Sequence, residues 1–367
     1  MRLALVIPSM SAGGAERVMA SLANAWAARD WAVTLFTLNG EPSFYPLDDR
    51  VRYRPLDVAR PSGDGFAAIR NNIGRAMALR RVIRREHFDA VISFMGTTNV
   101  LTILATRRLA VPVIVSERID PARYPIAKSW AALRRSLYPC ADLLVVQTER
   151  ILRYFPPSLQ HVGCIIPNPV AVPDEVANGP RIRKAENSRV VIAMGRLEAQ
   201  KGFDLLLRAF SRIAAKHAEW TLEIWGEGRE QAVLQALIAE LGLTERARLR
   251  GVTRRPFDEL LQAGLFVLSS RYEGFPNALC EAMACGLPVI SFDCPTGPGE
   301  IIRDGLDGLL VPPEDVGALA AGLDRLMSNE AERRRLAAGA SGVTQRFSLA
   351  RIMSLWDGAL KRVTRQV

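Results

Sequence analysis

The sequence predicts an α/β protein built from two doubly wound, Rossmann-like domains. Its 367 residues exceed what one hydrophobic core usually serves, strand and helix patterns alternate through both halves, and a Pro-rich break separates the halves. We expect a first domain at 1–167, a second at 168–348, and a C-terminal helix at 349–367 that packs back on the first domain. Because ligands of such folds bind at the carboxyl ends of the strands, the expected site is a cleft that the two domains face across.

The first half contains five apolar runs with the length and composition of buried parallel strands. The opening run, MRLALVIPSM, is interpreted as the first strand and not as a signal peptide, and no apolar run reaches the roughly 18 residues of a membrane span. We therefore expect a cytosolic protein. The predicted strands are Leu3–Ile7, Ala32–Thr37, Ala90–Phe94, Val111–Ser116 and Leu143–Val146, and the predicted helices cover 14–29, 67–85, 98–108 and 128–138.

The two halves are separated by the stretch IIPNPVAVPDEVANGP at 165–180. It contains four prolines and shows little periodicity, which predicts an interdomain linker followed by an exposed loop. A second series of alternating strands and helices begins at Val190. Its predicted strands are Val190–Met194, Thr221–Trp225, Leu265–Ser269, Pro288–Ser291 and Gly308–Val311, and its predicted helices cover 202–216, 230–241, 277–285, 315–328, 330–346 and 349–365.

Positive charge is concentrated in the first half. The net charge is +10, and residues 1–172 carry 22 Lys and Arg against 13 Asp and Glu, a net charge of +9. This asymmetry indicates an anionic partner, such as a membrane surface, a lipid diphosphate or a nucleic acid, although an arginine-rich solvated surface has the same composition. Nucleic acid is disfavoured because aromatic stacking residues are not interleaved with the basic helix at 67–85. Five cysteines without paired spacing predict reduced thiols and no zinc or redox site.

The helix at 67–85 combines arginine with apolar residues in a basic amphipathic pattern, the type that binds anionic interfaces. We hypothesise that it contacts an anionic membrane and the lipid diphosphate of an acceptor through Arg70, Arg75, Arg81 and Arg85. An ordinary surface helix with a long-chain polar face is the alternative. The apolar members of the pattern are Phe66, Ile69, Ile73, Met77 and Val82, and Arg80 and Arg84 complete its basic part.

Two loops that follow predicted strands carry groups suited to an anion. Gly13 and Gly14 precede the first helix, where backbone N–H groups at the helix N-terminus are placed to hold an anion, although an unliganded tight turn fits equally well. The loop GRLEAQKG at 195–202 offers the planar fork of Arg196 and the point charge of Lys201, which together suit a diphosphate. Two solvated charges on a loop are the alternative.

A third loop, with Gly226 and Gly228, imitates a dinucleotide-binding fingerprint. The third glycine of that fingerprint is missing, since position 231 is Gln, and the loop does not follow the first strand of its series. A nucleotide can still lie against this backbone, but NAD is not indicated.

The stretch EGFPNALCEAMACGLPVI at 273–290 predicts a turn that leads into a helix. Gly274 and Pro276 make the turn, Asn277 is the predicted N-cap, and Gly286 ends the helix. The helix N-terminus is therefore expected to face the ligand edge of the sheet and to hold an anion.

Two carboxylates, Glu273 and Glu281, stand eight residues apart in this stretch. Glu273 lies on the turn and is placed to contact a bound ligand. Glu281 falls among apolar helix residues, and a buried carboxylate needs a partner. That partner is either a hydroxyl or cation of a ligand or an arginine of the protein, such as Arg196 or Arg271.

Taken in order over nearly the whole chain, these motifs resemble those of retaining glycosyltransferases of the GT-B fold, family 4. The E-x7-E segment together with the GR…K loop is the specific part, and PNPV departs from the Asn-Gly that is usual in the family. The matching segments are GGAE (13–16), PNPV (167–170), GRLEAQKG (195–202), GEG (226–228), EGFPNALCEAMACGLPVI (273–290) and DGLDGLLVPPED (304–315).

The resemblance implies a nucleotide sugar bound mainly by the second domain and an acceptor bound by the first. It implies Arg196 and Lys201 on the diphosphate and Glu273 on the hydroxyls of the donor sugar, and these three are the predicted catalytic residues. It implies Glu281 on the ribose hydroxyls. The remaining donor-binding residues that it implies are Gly13, Gly14, Gly226, Gly274, Phe275 and Asn277, those at 274–277 through their backbone N–H groups.

The chemistry of glycosyl transfer fits these residues. The transition state places negative charge on the departing diphosphate, which two fixed cations and a helix N-terminus stabilise without a metal. The sequence has no D-x-D motif for Mg²⁺, so we expect neither a metal nor another cofactor. The resemblance implies retention, with the acceptor attacking from the leaving group's face while a phosphate oxygen takes its proton. No second carboxylate nucleophile supports a double displacement.

One departure from the family lies just after the strand at 111–116. Many relatives carry a histidine there that contacts the donor sugar, whereas this chain has Glu117 and Arg118. The resemblance assigns an acceptor or sugar contact to these two residues. SERIDP at 116–121 is similar to a subgroup that extends polyprenyl-diphosphate-linked oligosaccharides, which includes bacterial N-acetylgalactosamine transferases.

We therefore predict a hexosyltransferase that moves a sugar from a nucleotide sugar, with a UDP-sugar favoured, to a glycan or polyprenyl-diphosphate-linked acceptor. It is expected in the cytoplasm, in peripheral contact with the inner face of the plasma membrane. A GDP-mannose-type transferase of exopolysaccharide or lipopolysaccharide assembly is one alternative, and a non-catalytic sugar-nucleotide-binding protein is another. An NAD-linked dehydrogenase or a GT-B epimerase would need a full fingerprint or a catalytic histidine, and the sequence offers neither.

Overall fold

The computed structural model describes residues 1–59, 65–124, 126–170, 172 and 188–364, without the side chains of 65–67. Most of the linker and loop predicted at 165–180 therefore lies outside the described residues, as does the side chain of Phe66.

The chain divides into two compact units. The first unit is Met1–Pro169 with Leu349–Val367, and the second is Val170–Ser348. The first boundary lies two residues beyond the one expected at 167, and the second coincides with the one expected at 348.

Within the described residues, the first unit is built on a parallel sheet of seven strands. They are β1 (Arg2–Ile7), β2 (Ala32–Thr37), β3 (Arg52–Pro55), β4 (Ala90–Phe94), β5 (Val113–Ser116), β6 (Leu143–Val146) and β7 (Gly163–Ile165). Their order across the sheet is β3-β2-β1-β4-β5-β6-β7, and every pair is parallel. The central strands β1 and β4 are continuous apolar runs because both faces of a parallel sheet are covered.

Helices connect these strands and cover the sheet. The first helix buries Val18, Leu22 and Trp26, which recur every four residues and so form one apolar stripe. The second turns Leu79 and Ile83 toward an apolar cluster that includes β1 and β2. The helices are α1 (Gly14–Ala27), α2 (Gly65–Glu86), α3 (Gly96–Thr106), α4 (Lys128–Leu137), α5 (Glu149–Arg153) and α6 (Pro157–His161).

The second unit carries its own parallel sheet, with six strands among the described residues. They are β8 (Val190–Met194), β9 (Thr221–Trp225), β10 (Ala247–Gly251), β11 (Leu265–Leu268), β12 (Val289–Phe292) and β13 (Leu309–Val311). Their order is β10-β9-β8-β11-β12-β13, and every pair is parallel. The carboxyl ends of β8, β9, β11 and β12 therefore lie at one edge of the sheet, where a doubly wound fold binds its ligands.

The helices of the second unit pack on this sheet. The first of them buries Phe203, Leu206, Leu207 and Phe210 on one face, and the core of the unit gathers around Trp220. The helices are α7 (Phe203–Ile213), α8 (Gln231–Glu240), α9 (Pro256–Gln262), α10 (Asn277–Ala284), α11 (Pro298–Ile301), α12 (Val316–Ser328), α13 (Glu330–Ala340) and α14 (Val343–Arg346).

The last helix, α15 (Leu349–Thr364), belongs to the first unit. It buries Ile352, Met353 and Trp356 in the cluster that also holds Trp26. The Trp356 ring meets the Trp26 ring edge-on, with their centres 6.1 Å apart.

All ten predicted strands are present, with ends that agree within two residues, and three further strands were not predicted. The additional strands are β3, β7 and β10, and each lies at the edge of its sheet. The single helix predicted at 330–346 is interrupted and forms α13 and α14. Among the described residues, no helix combines the length and apolar character needed to cross a membrane.

Candidate functional site

Lys201 and Glu273 form an ion pair at the carboxyl edge of the second unit's sheet. Lys201 Nζ lies 2.6 Å from Glu273 Oε1, and the side chains are 18% and 7% exposed. Lys201 comes from the loop after β8, and Glu273 from the loop after β11, the strand next to β8 in the sheet. Parallel strands end at the same edge, which is why residues so distant in sequence meet here.

Glu273 is held by three side chains. Besides Lys201, Ser270 Oγ donates to Glu273 Oε1 at 2.6 Å. The hydroxyl of Thr296, in the loop after β12, donates to the backbone carbonyl of Glu273. Gly297 packs against the same turn, and a Cβ built on it would overlap Pro276 Cδ. The carboxylate and the backbone that carries it are therefore both fixed by neighbouring loops.

Lys201 is positioned by its own loop. It ends the single 3₁₀ turn Ala199–Lys201, and its carbonyl accepts from Ser269 Oγ at 2.9 Å. Its aliphatic stem runs past Gly195, where a Cβ would lie 3.1 Å from both Cδ and Cε of the lysine. Because Gly195 has no side chain, the stem of Lys201 has room to extend toward Glu273.

Arg271, in the loop after β11, contacts both the first turn of α7 and the loop after β8. Arg271 donates to both carboxylate oxygens of Asp204, at 2.9 and 2.8 Å, and to the carbonyl of Ala199 at 2.6 Å. It also lies 3.1 Å from Glu314. Burial raises the pKa of Asp204, but the hydrogen bonds from Arg271, the charge of that arginine and the backbone N–H groups of Asp204 and Leu205 together outweigh it, so the pKa is lowered.

Of the two arginines considered as internal partners of Glu281, Arg271 is engaged with Asp204 and Glu314 instead. Arg196 is exposed on its loop. The hydrogen bond from Arg229 lowers the pKa of Glu198, and the charge of Arg196 adds a smaller effect in the same direction. Arg196 is therefore a solvent-exposed cation on the same loop as Lys201.

The loop after β9 is locked against the loop after β8. Gly226 has φ +145, and a Cβ there would overlap the carbonyl oxygen of Gly195. Its N–H donates to the carbonyl of Gly251 at 2.7 Å, and Leu197 N donates to the carbonyl of Glu227 at 2.8 Å. The close approach of two backbones therefore requires a glycine at position 226. This requirement holds whether or not a ligand lies beside the loop.

The predicted N-cap at Asn277 is wrong by one residue. Pro276 is the N-cap of α10, and Asn277 is its first helical residue. The predicted end is confirmed: Gly286 has φ +69, its N–H donates to the Met283 carbonyl, and Leu287 N donates to the Ala282 carbonyl, which is a Schellman motif.

Glu281 lies inside α10 and is buried, as the sequence predicts. Gly274 is also buried, on the turn itself. The side chain of Phe275 belongs to the core of the second unit: it is buried, and its ring meets the Phe347 ring edge-on with centres 5.1 Å apart. Phe275 therefore has only its backbone to offer a ligand.

In the first unit, Gly13 caps α1 and Gly14 begins it. The carbonyl of Gly13 accepts from the Tyr45 hydroxyl at 3.0 Å. A Cβ built on Gly13 would overlap the Glu16 carboxylate, so this carboxylate folds back over the glycine. The helix N-terminus predicted to hold an anion thus has an acidic side chain of its own in close contact.

Glu117 is turned into the first unit. Its Oε1 accepts from the Tyr138 hydroxyl at 2.6 Å and lies 3.7 Å from Arg134 Nη1. Burial raises the pKa of Glu117 above its usual value, against the opposing effects of Arg134 and Tyr138. The carboxylate is therefore committed to internal contacts, which argues against the histidine-like role that the sequence suggests for it.

Arg118, the next residue, is buried without a carboxylate partner among the described residues. Its Nη1 donates to Asn168 Oδ1 at 2.9 Å, and its guanidinium lies 3.8 Å from the centre of the Phe94 ring. Nε and Nη2 are buried and have no hydrogen-bond partner in the described part of the chain. Burial lowers the pKa of Arg118 to about 9. Of the residues at 117 and 118, Arg118 is the one with unused donors.

Helix α2 presents three of its four predicted membrane-facing arginines to solvent: Arg70, Arg81 and Arg85. Arg75 differs, because its Nε donates to the carbonyl of Val58 at 3.1 Å and its Nη1 to Asn72 Oδ1 at 2.9 Å. Arg75 is therefore tied to its own unit and is a poorer candidate for a membrane contact.

Sequence reasoning did not identify Ser270, Thr296 or Asp204, which hold the Lys201–Glu273 pair and its loops. Each is a common loop or helix residue. Thr296 and Asp204 are marked only by contacts with residues far along the chain, and Ser270 by its hydrogen bond to Glu273 three residues later. Among the described residues, no group of three or more His, Cys, Asp or Glu side chains is arranged to hold a metal ion.

Two protein-family models match the chain, one in each unit. The model described as a glycosyl transferase 4-like domain matches residues 13–160, and the model described as glycosyl transferases group 1 matches residues 177–342.

Two curated relatives are informative. An exopolysaccharide phosphotransferase of Streptomyces coelicolor is 37% identical over 60% of this chain, which spans only 23% of that relative. A Campylobacter jejuni protein is 29% identical over 97% of each chain. Its name is GalNAc-alpha-(1->4)-GalNAc-alpha-(1->3)-diNAcBac-PP-undecaprenol alpha-1,4-N-acetyl-D-galactosaminyltransferase.

A solved structure supports the fold. The crystal structure of Anabaena HepE in complex with UDP and glucose superposes with a TM-score of 0.80, covering 98% of this chain and 99% of that one at 19% identity. The two family models together span most of both units, and the fold agrees with them. The chain therefore belongs to the glycosyltransferases of the GT-B fold, family 4, and is a hexosyltransferase.

Proposed function

We propose that the protein transfers a sugar, with retention and without a metal, from a UDP-sugar to a glycan or lipid-linked oligosaccharide at the inner face of the plasma membrane. The observation that carries this proposal is the Lys201–Glu273 pair, which holds a cation for a diphosphate beside a carboxylate for a sugar. The name of the Campylobacter jejuni relative supports the class of acceptor, and the UDP bound to Anabaena HepE supports the base.

The donor site is assigned to the loops of the second unit. Arg196 and Lys201 bind the diphosphate, helped by the N–H groups of 274–277 at the N-terminus of α10. Glu273 accepts hydrogen bonds from hydroxyls of the donor sugar, and Glu281 from those of the ribose. The backbone of Gly226 borders the nucleotide. The assignment of Gly13 and Gly14 to the donor is part of the proposal and rests on the GGAE motif alone.

The two cations make departure of the diphosphate easier. Negative charge grows on the leaving group in the transition state, and fixed positive charges stabilise it without reorganising at the moment of reaction. Lys201 is held by Glu273 and by the approach to Gly195, so its charge is already in place. This preorganisation is the reason that we assign the role of a metal to Lys201, with Arg196 of the same loop as the second cation.

Retention is proposed to occur by attack from the face that the diphosphate leaves. The acceptor hydroxyl passes its proton to a phosphate oxygen of the departing group. Glu273 is assigned to binding and not to nucleophilic attack, because Lys201 and Ser270 hold its Oε1 and a hydroxyl of the donor sugar is assigned to its Oε2. A carboxylate engaged in this way serves binding better than covalent catalysis.

The acceptor is assigned to the first unit, with Arg118 as its contact. Arg118 keeps unused donors at Nε and Nη2, whereas the carboxylate of Glu117 is occupied by Tyr138 and Arg134. A buried guanidinium with unused donors is costly unless a ligand or water meets them. We therefore transfer the acceptor or sugar role from Glu117 to Arg118.

Membrane contact is assigned to α2. Ile69, Ile73 and Met77 recur every four residues and are 61%, 56% and 60% exposed, which forms an apolar stripe on the solvent side. Arg70, Arg81 and Arg85 are exposed on the same helix. An apolar stripe with cations beside it is suited to a membrane surface that carries anionic lipids.

The proposal is tested with a panel of UDP-sugars and GDP-sugars, each measured for thermal stabilisation and for slow hydrolysis in the presence of EDTA. We expect one or more UDP-sugars to stabilise the protein and to be hydrolysed, with GDP-sugars inactive. The Glu273→Ala variant is the control and should lose hydrolysis. If no nucleotide sugar stabilises the wild-type protein, the proposed donor site is wrong. If GDP-sugars alone do so, the GDP-mannose alternative is correct.

A further inference from the structure

We propose that Ser270 is a positioning residue for Glu273, and that it makes the protein selective between donor sugars that differ at one hydroxyl. The proposal rests on the proposed function, because it takes Glu273 as the group that contacts the donor sugar. Ser270 follows β11, is 1% exposed, and donates through Oγ to Glu273 Oε1 at 2.6 Å.

The hydrogen bonds to the Glu273 carboxylate are unequal. Lys201 Nζ and Ser270 Oγ both lie 2.6 Å from Oε1, and no hydrogen bond from the described residues reaches Oε2. A carboxylate accepts at both oxygens. Oε1 is therefore used by the protein, and Oε2 is the oxygen left for a ligand.

Two donors on one oxygen fix the plane of the carboxylate, which one donor does not. The last torsion of a glutamate side chain is broad and nearly two-fold, so a lysine alone would allow the plane to turn and the oxygens to exchange. The ammonium itself sits on a flexible chain of four carbons. Ser270, by contrast, carries its hydroxyl one carbon from the backbone.

The backbone around Ser270 is itself held. Ser269 Oγ donates to the Lys201 carbonyl at 2.9 Å, and Arg271 N donates to the Gln200 carbonyl at 2.8 Å. The residues on both sides of Ser270 are thus joined to the loop that carries Lys201. The Ser270 hydroxyl is therefore held in place, and its hydrogen bond orients the carboxylate of Glu273.

Orientation of this carboxylate has a consequence for specificity. A site built to hydrogen-bond a hydroxyl rejects a substrate that lacks it there, because the polar group of the site is left unpaired. This rejection requires that the carboxylate cannot turn to find the displaced hydroxyl. Without the Ser270 hydrogen bond, Glu273 can turn, and selectivity between epimeric sugars should decline.

The test compares the wild-type protein with Ser270→Ala, Ser270→Thr and Ser291→Ala. UDP-N-acetylgalactosamine and UDP-N-acetylglucosamine, which differ in one hydroxyl configuration, are the donors, and the affinity for UDP alone is measured in parallel. Ser291 is the matched control because it is also buried, and its hydroxyl bonds to the Phe292 carbonyl away from Glu273.

We expect Ser270→Ala to lower kcat for the preferred donor about 10-fold and to reduce the preference between the two donors about 10-fold, as for loss of one hydrogen bond to a charged group. The affinity for UDP should stay unchanged, because the diphosphate contacts are intact. Ser270→Thr retains a hydroxyl and should restore the preference. Ser291→Ala should leave kcat and the preference as they are.

Two results would overturn the proposal. One is an unchanged kcat and an unchanged donor preference in Ser270→Ala. The other is an equal loss for both donors and for UDP, which would mean that Ser270 only supports the fold. Either result leaves the proposed function intact if the wild-type protein transfers sugar. Failure of the wild-type protein to act on any nucleotide sugar would overturn the proposed function and this inference together.

Discussion

Lys201 Nζ lies 2.6 Å from Glu273 Oε1, although 72 positions separate the two residues in the sequence. An ammonium group has three donors, so the bond to Glu273 leaves two for other acceptors. The same lysine is therefore able to hold a carboxylate and a diphosphate at once. This shared position links the part of the site that binds phosphate to the part that binds sugar.

Gly226→Ala should damage both stability and nucleotide binding. The residue has φ +145, and the added methyl group would overlap the Gly195 carbonyl beside the loop of Lys201. We expect a loss of several kcal/mol in the free energy of unfolding, the size of strain combined with overpacking. Thermal unfolding and UDP titration measure the two effects.

Gly286→Ala is the matched control for this variant. Gly286 has φ +69, and apart from its neighbours in the chain no described residue comes within 4 Å of an added Cβ. Its cost should be only the backbone strain of about 1 kcal/mol, with UDP affinity retained. Equal effects of the two substitutions would show that the approach of Gly226 to Gly195 is unimportant.

The strands that the sequence did not predict are three of the four edge strands of the two sheets. The interior strands are continuous apolar runs because they are covered on both faces, and their sequences alone predict them. β3, with the sequence RYRP, and β10, with ARLRG, are edge strands with charged residues, so they lack that pattern. β7 has only three residues.

The sequence was sufficient to nominate residues of the candidate site, but not to predict the contacts between them. Motif spacing identified Glu273 and Lys201, because a turn before a helix and a loop after a strand have local signatures. Their direct pairing, and the support from Thr296, depend on which strands lie side by side, and no local pattern encodes that. Ser270 lies only three residues before Glu273, but a serine in a loop has no local signature that marks it as a hydrogen-bond donor to that carboxylate. The side chain of Phe275 belongs to the core, so the backbone contact expected of this residue stays a prediction.

Arg118→Lys should weaken acceptor binding and leave the donor site unaffected. The substitution keeps a charge but removes the planar group that lies over Phe94 and its two unused donors. We expect KM for the acceptor to rise about 10-fold, the value of one charged hydrogen bond, with hydrolysis of the donor in the absence of acceptor unchanged.

The control is Arg333→Lys in the second unit. Arg333 is also a buried arginine, and its Nη1 donates to the carbonyls of Leu326 and Met327. It should lower stability without changing acceptor KM. A fall in donor hydrolysis in Arg118→Lys, with acceptor KM unchanged, would contradict the assignment of Arg118.

Glu117→Gln should change how stability depends on pH. Burial raises the pKa of Glu117, so between its usual pKa of 4.5 and the raised value the folded protein keeps a proton that the unfolded chain has released. The folded state then binds more protons, and its stability falls as pH rises through that window. The variant lacks this term, and its stability relative to wild type should increase with pH. Urea unfolding between about pH 4 and pH 8 measures it; a difference that stays constant with pH would contradict it.

Replacement of Arg70, Arg81 and Arg85 by Glu should abolish binding to liposomes that contain anionic lipid. These arginines are exposed on α2 beside the apolar stripe, and reversal of their charge opposes the negative surface. Sedimentation with vesicles of phosphatidylglycerol and phosphatidylcholine measures the effect. Wild-type binding should weaken as salt is raised, because exposed charges are screened.

The control for this variant changes the net charge by the same amount on the second unit. Its substitutions, each to Glu, are at the exposed residues Arg208, Arg212 and Arg334. Liposome binding should survive in the control. Equal losses in both variants would mean that net charge, and not α2, controls binding, and retention of binding in the α2 variant would exclude the helix as the contact.

The most direct test of the account is calorimetric titration of UDP and of the best UDP-sugar into the wild-type protein, Glu273→Gln and Lys201→Met. We predict that the UDP-sugar binds the wild-type protein more tightly than UDP does. Glu273→Gln should remove this difference in affinity while UDP still binds. Lys201→Met should weaken the binding of both ligands at least 10-fold, as expected for loss of a charged contact to phosphate. Equal binding of UDP-sugar by all three proteins would contradict the assignment of Lys201 and Glu273 as the donor site.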